Sequence, residues 1–150
     1  GLSPDVERKD FHKYLETALH PDTELCLEDG RTIKIKDVEV NDILLFGEIV
    51  KTIIVVKTDD VNKTHKLTYD NEYILSATEN TEVYVDSLGP TNAVLTREEI
   101  KNFPIGYHLV TNKGGFKTKG VIIRDYNRGI DKYLQMPDFT SQGISNFNIY

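Results

Sequence analysis

The side chains best suited to acid–base or nucleophilic work are four histidines, His12, His20, His65 and His108, and a single cysteine, Cys26. An imidazole titrates near neutrality and can both take and give a proton. A thiol attacks carbonyl carbon once it is ionised. Spacing brings none of these into a familiar constellation. His12 falls on a leading helix, where it reads as exposed. His20 stands before Pro21-Asp22 and reads as a turn residue, while His65 and His108 lie in strand-like runs. Cys26 sits mid-strand and reads as a buried structural thiol. Asp22, Glu28 and Asp29 are close in sequence, but a turn explains them better than a metal site or an acid pair. There is no phosphate loop and no Ser-His-Asp arrangement. One cysteine excludes an internal disulfide and a Cys-rich zinc cluster. The net charge of −6 leaves no Lys/Arg-rich footprint, so nucleic acid is disfavoured as a partner. No run approaches the ~18 apolar residues of a membrane span. The opening GLSPDVERKD has no apolar signal core. A soluble, cytoplasmic chain without cofactor, metal or membrane partner is expected.

The elements that must position these groups are mostly strands. Residues 3–16 read as a helix: Ser3 suits the N-cap, Pro4 the first helical position, and Phe11, Tyr14 and Leu15 form a modest apolar stripe. His20-Pro21-Asp22 breaks that pattern. Beyond it the chain reads as β. Glu24–Leu27 and Thr32–Ile35 flank Glu28-Asp29-Gly30-Arg31, a hairpin signal built on Asp-Gly. Ile43–Phe46 follows Asn41-Asp42, and Ile49–Lys57 is rich in β-branched residues. Thr64–Tyr69 and Glu72–Ser76 flank a second turn at Asp70-Asn71, and Glu82–Val85 alternates. Residues 97–102 read as a short helix capped by Thr96 and stopped before Pro104. Tyr107–Val110, Gly120–Arg124, Lys132–Met136 and Asn146–Tyr150 complete the set, and Asn112–Gly120 reads as a flexible, locally basic loop. Many short strands at this spacing predict one compact all-β domain.

The stretch ALHPDTELCLEDGRTIKIKDVEVNDILL, residues 18–45, resembles the opening block of inteins and hedgehog-type Hint domains. Leu19, Pro21-Asp22-Thr23, Leu25, Glu28-Asp29-Gly30, Ile33, Ile35, Asp37, Val38 and Asn41-Asp42 follow the order of that block. A second block of the family carries Thr-x-x-His at the end of a strand. HKLTYDNEYILSATENTEVYV, residues 65–85, is similar to it and aligns on Thr78. Ile105–Val110 is similar to a third segment that leads into the last strands. The resemblance runs from residue 18 to residue 150 and implies the horseshoe-like all-β Hint fold. Residues 1–17 are then a helical N-extein, the piece of host protein in front. The implied activity is protein splicing: an acyl shift at the 17–18 bond, transesterification, then Asn cyclisation, with no cofactor.

The departures from the family pattern bear on chemistry. In an ordinary intein the residue that aligns with position 18 attacks the carbonyl of the residue before it, a covalent step that needs a thiol or hydroxyl. Ala18 has neither. An engineered replacement of the nucleophile that keeps the precursor intact is one explanation, favoured because residues 1–17 read as uncleaved host sequence. A natural class in which a downstream nucleophile attacks the Thr17–Ala18 bond directly is a second, and Ala18 as the C-terminal residue of a helix in an unrelated protein is a third. The block histidine, which protonates the leaving amine, falls at Thr81, whose hydroxyl cannot act as an acid at neutral pH. Thr17, Thr78 and Asn80 are the local groups able to strain or polarise the scissile peptide, and His20 is the histidine that the sequence places nearest. The family's closing His-Asn and following nucleophile are not found in Ser145–Tyr150, and its late Asp falls near Leu134 or Gln135. The chain therefore resembles the large fragment of a short, phage-type split intein, or such an intein with a disordered or separately supplied tail. Its expected partners are its own N-extein and a complementary C-terminal fragment adding at an open strand edge.

Two rivals make different demands. A hedgehog-like autoprocessing domain cleaves without splicing and needs no Asn end. A non-catalytic β binding module has no reason to bring Thr17–Ala18 beside Thr78.

Overall fold

The computed structural model describes residues 17–58, 63–69, 71–85 and 95–127. The expected leading helix at 3–16 and the strands at 132–136 and 146–150 lie outside these residues.

Ten strands occupy the described residues. They are β1 Glu24–Cys26, β2 Thr32–Lys34, β3 Val50–Lys57, β4 Thr64–Tyr69, β5 Glu72–Thr78, β6 Val83–Val85, β7 Leu95–Ile100, β8 Ile105–Thr111, β9 Gly115–Thr118 and β10 Val121–Arg124. β1 and β2 form the hairpin predicted at Asp-Gly, with Cys26 opposite Thr32. Its turn places Gly30 at φ +90°, a conformation that glycine adopts at no steric cost. Asp29 caps the turn by accepting from the Arg31 amide at 3.0 Å. β5 and β7 flank β4, β6 and β9 flank β10, and β3 pairs with β8, all antiparallel.

The chain just ahead of β1 stitches two of these sheets together. Leu19 bridges Ala77 of β5 on one side and Tyr107 of β8 on the other. Its amide donates to Tyr107 O at 2.7 Å and its carbonyl accepts from Tyr107 N at 2.9 Å, while His20 N donates to Ser76 O at 2.9 Å. Residues 18–20 thus fill the gap between β5 and β8 as a short central rung. Leu19 is wholly buried and joins Leu25, Leu67, Leu75, Leu109, Phe116 and Ile123 in the core.

Several expected elements differ. Residues 97–102 are not helical: Leu95–Ile100 pairs along β4, with Thr96 opposite Thr68 and Ile100 opposite Thr64. A helix of six residues gains too few internal hydrogen bonds to offset its nucleation. The open edge of β4 offers a full ladder instead. Residues 112–120 are not a loop throughout. β9 crosses them, drawn in by the wholly buried Phe116, and a two-residue turn with positive φ at Lys119 and Gly120 returns the chain into β10. The second strand stops at Lys34, and Ile35–Asp37 winds a single 3-10 turn. Ile43 and Leu44 make only isolated bridges, to Ile49 and Leu27. Their continuation turns at Gly47 because the buried carboxylate of Glu48 folds back to accept from Phe46 N at 2.8 Å. Its other oxygen accepts from Lys117 N at 2.9 Å, tying this turn to β9.

Among the described residues no helix is long and apolar enough to cross a membrane.

Candidate functional site

The rung at residues 18–20 sets the site. Because Leu19 lies opposite Ala77, Ala18 lies opposite Thr78, and Thr78 N donates to Ala18 O at 2.9 Å. The Ala18 amide in turn donates to Thr78 Oγ1 at 3.1 Å, across 60 positions of sequence. Thr78 Oγ1 also lies 2.8 Å from Asn80 Oδ1 and 2.9 Å from Thr81 Oγ1. A hydroxyl has one proton and two lone pairs. Since Asn80 Oδ1 can only accept, Thr78 spends its proton there and accepts from both Ala18 N–H and Thr81 O–H. The hydroxyl is saturated, and its acceptor lone pair is fixed on the amide nitrogen of the 17–18 bond. β5 positions it: Thr78 is the last residue of that strand, and Thr81 N folds back onto Thr78 O at 3.0 Å.

The site is dry at its centre and polar at its rim. Thr17, Ala18, Thr78 and Thr81 are each no more than 2% exposed. Thr17 Oγ1 is buried without a hydrogen-bond partner among the described residues. The Asn80–Thr81 loop opens into a cleft that Glu79, Glu82 and Arg97 also line, and Arg97 donates to Thr81 O at 3.3 Å.

Gly106 of β8 closes the other side. A Cβ placed on it would fall 2.5 Å from Ala18 Cβ, 2.9 Å from Phe103 Cε2 and 3.3 Å from Leu19 O. Only a residue without Cβ lets the 18–19 segment approach β8 this closely. Gly106→Ala is expected to destabilise the fold by about 1–3 kcal/mol, the usual cost of overpacking a filled site. Urea unfolding measures this, and an unchanged midpoint would show that the segment is not held against Gly106.

The structure brings Ala18, Thr78, Asn80 and Thr81 together, with Thr17 next to Ala18 in the chain. His20 is not joined to them through hydrogen bonds. Its Nδ1 accepts from Asp22 N at 3.0 Å in the turn closed by Thr23 N to His20 O, and its ring meets Phe103 edge-on at 5.3 Å. Asp22 faces Lys36 at 3.2 Å and Lys34 at 3.6 Å, and the Lys36 ammonium holds its carboxyl below the usual range. Among the described residues no group of three or more His, Cys, Asp or Glu is arranged to hold a metal ion. Asp42 is a turn residue, accepting from Glu39 N at 2.9 Å. Cys26 is half-buried, with its thiol directed at Leu27 O at 3.5 Å.

The residue that sequence reasoning undervalues is His108. It is a strand residue, as expected, but wholly buried. Its Nδ1 accepts from the Leu109 amide at 2.9 Å, and its Nε2 has no hydrogen-bond partner among the described residues. Phe116 and Tyr126 stand edge-on to its ring at 5.7 and 6.2 Å. Burial pushes the imidazole down to about 3, against the opposing pull of the Arg124 backbone, so it is neutral at physiological pH. Just beyond β10 the carboxylate of Asp125 is also buried, accepting from Thr111 N at 3.1 Å, Asn127 N at 3.0 Å and Arg124 Nη1 at 3.2 Å. The positions aligned with the family's late Asp, Leu134 and Gln135, lie outside the described residues.

No family model and no curated protein sequence matches this chain. Solved structures do. The gp41-1 intein superposes with a TM-score of 0.55 at 16% identity, covering 73% of this chain and 99% of its own. A triple-substituted form of that intein gives a TM-score of 0.55 at 16% identity, covering 73% of this chain and 100% of its own. At that identity the likeness speaks of fold: the chain is built on the all-β architecture of these inteins.

Proposed function

We propose that this chain is the body of a protein-splicing element, with residues 1–17 as its N-extein and the Thr17–Ala18 peptide as the bond that it acts on. One observation carries the reading. The Ala18 amide sits buried on the hydroxyl of Thr78, 60 positions away, and that hydroxyl is held in a saturated network with Asn80 and Thr81. A β module that only binds has no use for this contact. The intein-like fold supports the same reading, and one of the similar structures is itself a form in which the first residue, a cysteine, is replaced by alanine.

The chemistry follows from the geometry once a nucleophile stands at position 18. Its thiol or hydroxyl attacks the carbonyl carbon of Thr17. A C–S or C–O bond forms, the C–N bond breaks, and the proton lost by the nucleophile is balanced by one gained at the departing amine. No histidine stands at Thr81 to deliver that proton. As the C–N bond breaks, the Thr78 hydroxyl turns its proton from Asn80 Oδ1 to the nitrogen and takes the proton of Thr81 in its place, while the proton given up by the nucleophile returns to Thr81 through the polar cleft. Ala18 supplies no nucleophile, so the chain as it stands is arrested before the acyl shift. A complementary C-terminal fragment, bringing the Asn that cyclises, completes splicing in this reading.

The test restores the nucleophile. The full chain carrying Ala18→Cys is incubated with hydroxylamine, with and without a C-terminal intein fragment ending in His-Asn, and intact mass is followed. Release of residues 1–17 by cleavage at the 17–18 bond is expected, with the parent Ala18 chain unchanged. A folded Ala18→Cys chain that stays whole in both conditions would leave a non-catalytic β module as the better reading.

A further inference from the structure

We infer that His108 is the hydrogen-bond donor for the carbonyl oxygen of residue 17 when that carbonyl is attacked, an assignment that rests on the proposed function and adds a residue outside the family's pattern.

Strand register makes the case first. Leu19 pairs with Tyr107 in the antiparallel sense through two hydrogen bonds. The next positions in that register set Ala18 opposite His108, just as Ala18 lies opposite Thr78 on its other flank. Directly opposed residues of a sheet project to the same face, and so do residues two apart in one strand. Thr78, Ala18 and His108 therefore share a face, together with Gly106, whose built Cβ meets Ala18 Cβ.

Peptide geometry supplies the direction. No described peptide bond is cis, so the Thr17 carbonyl points opposite to the Ala18 N–H. That N–H is directed at Thr78, toward β5. The carbonyl of Thr17 is thereby directed toward β8.

The ladder on β8 shows what receives it. Were the pairing regular, the rung after Leu19 and Tyr107 would join Thr17 to Leu109, with Leu109 N–H on the Thr17 carbonyl. That N–H is instead engaged by His108 Nδ1 at 2.9 Å, and Leu109 O accepts from Tyr126 N at 3.0 Å. The imidazole thus takes up the amide that a regular rung would offer to the carbonyl. With Nδ1 accepting, the neutral ring carries its proton on Nε2. That N–H is buried and meets no acceptor in hydrogen-bond geometry, although the Arg124 backbone carbonyl draws on the ring.

A donor that makes no well-formed hydrogen bond in the ground state favours the transition state, because negative charge develops on the carbonyl oxygen only during attack. Burial between Phe116 and Tyr126 keeps water from competing for it. His108 and Thr78 then hold the two ends of one peptide bond: the first the oxygen, the second the nitrogen.

The experiment compares the full chain carrying Ala18→Cys with the same chain also carrying His108→Leu or His108→Gln. The readouts are the hydroxylamine cleavage rate from pH 5 to 8 and thermal unfolding of each variant. His108→Leu is expected to slow cleavage about 100-fold, the usual effect of losing one such donor. Glutamine carries an amide N–H to similar reach, and His108→Gln is expected to stay within about tenfold of the parent rate. The ratio between His108 and His108→Leu rates is expected to be flat across this pH range, because a neutral donor does not titrate there. A folded His108→Leu chain that cleaves at the parent rate overturns the assignment alone. So does His108→Gln as slow as His108→Leu, which would mark the imidazole as packing only. Absence of cleavage in Ala18→Cys itself overturns the proposed function and this assignment with it.

Discussion

Replacing Thr78 by alanine in a chain that also carries Ala18→Cys is expected to lower the rate of cleavage at the 17–18 bond by about 100- to 1,000-fold, on the scale of losing a positioned proton-transfer group. The expectation follows from how many groups converge on one hydroxyl. Thr78 Oγ1 accepts from the Ala18 amide at 3.1 Å and meets Asn80 and Thr81 at 2.8 and 2.9 Å. Without it the Ala18 N–H loses its side-chain acceptor in a buried site, and the Thr81 hydroxyl loses its route to the nitrogen. Thr78→Ser keeps the oxygen and is expected to retain most of the rate. Thr78→Val keeps the shape and is expected to behave like alanine. Single-turnover cleavage followed by intact mass separates these outcomes. If valine matches serine, the hydroxyl is not part of the reaction and Thr78 serves only to shape the end of β5. Stability responds differently, since Thr78 N to Ala18 O is a backbone bond that survives all three substitutions.

How far the sequence reveals this site depends on whether the signal is local. The Asp-Gly hairpin was legible because the turn chemistry lies in the turn itself, and Gly30 adopts the positive φ that it requires. Thr78, Asn80 and Thr81 are legible as a group since they close one strand and its turn, and alignment on Thr78 places them against Ala18. Residues 95–100 were not legible. Their charged run Arg97-Glu98-Glu99 suits a short helix locally, and only the free edge of β4 makes it a strand. Phe116, in a run of Gly and Lys, gives no periodic pattern, yet it is wholly buried and fixes β9. His108 is the clearest case. Nothing within Ile105–Val110 distinguishes it from a strand histidine. Its meaning comes from Leu19 inserting between β5 and β8, a pairing across 88 positions (107 − 19) that no local spacing encodes. Gly106 belongs to the same account: its lack of a Cβ matters only because Ala18 passes over it.

The buried imidazole also predicts how the fold responds to acid. His108 has its folded value pushed down from 6.5 to about 3 by burial. In the unfolded chain it is solvated and takes a proton as pH falls through about 6.5, whereas in the folded chain it stays neutral until about pH 3. Between these limits the unfolded state binds more protons, and stability falls as pH falls. The contribution is fully present above the unfolded value, declines through the window from about 6.5 to about 3, and is lost below it. By pH 5 the linkage amounts to about 2 kcal/mol, at roughly 1.4 kcal/mol for each pH step below the unfolded value. Carboxylates titrate in the same window, so the absolute curve is not diagnostic. The difference between the parent chain and His108→Leu is. Urea unfolding at pH 7 and pH 5 is expected to show the parent losing about 2 kcal/mol more than the variant, and the gap should widen toward pH 4. Equal losses in the two chains would mean that the imidazole is solvated in the folded state. A solvated imidazole would in turn remove the dry surroundings in which its Nε2 proton is reserved for the carbonyl of residue 17. The acid sensitivity of the fold and the readiness of the donor have one physical cause, the burial of a neutral histidine between Phe116 and Tyr126.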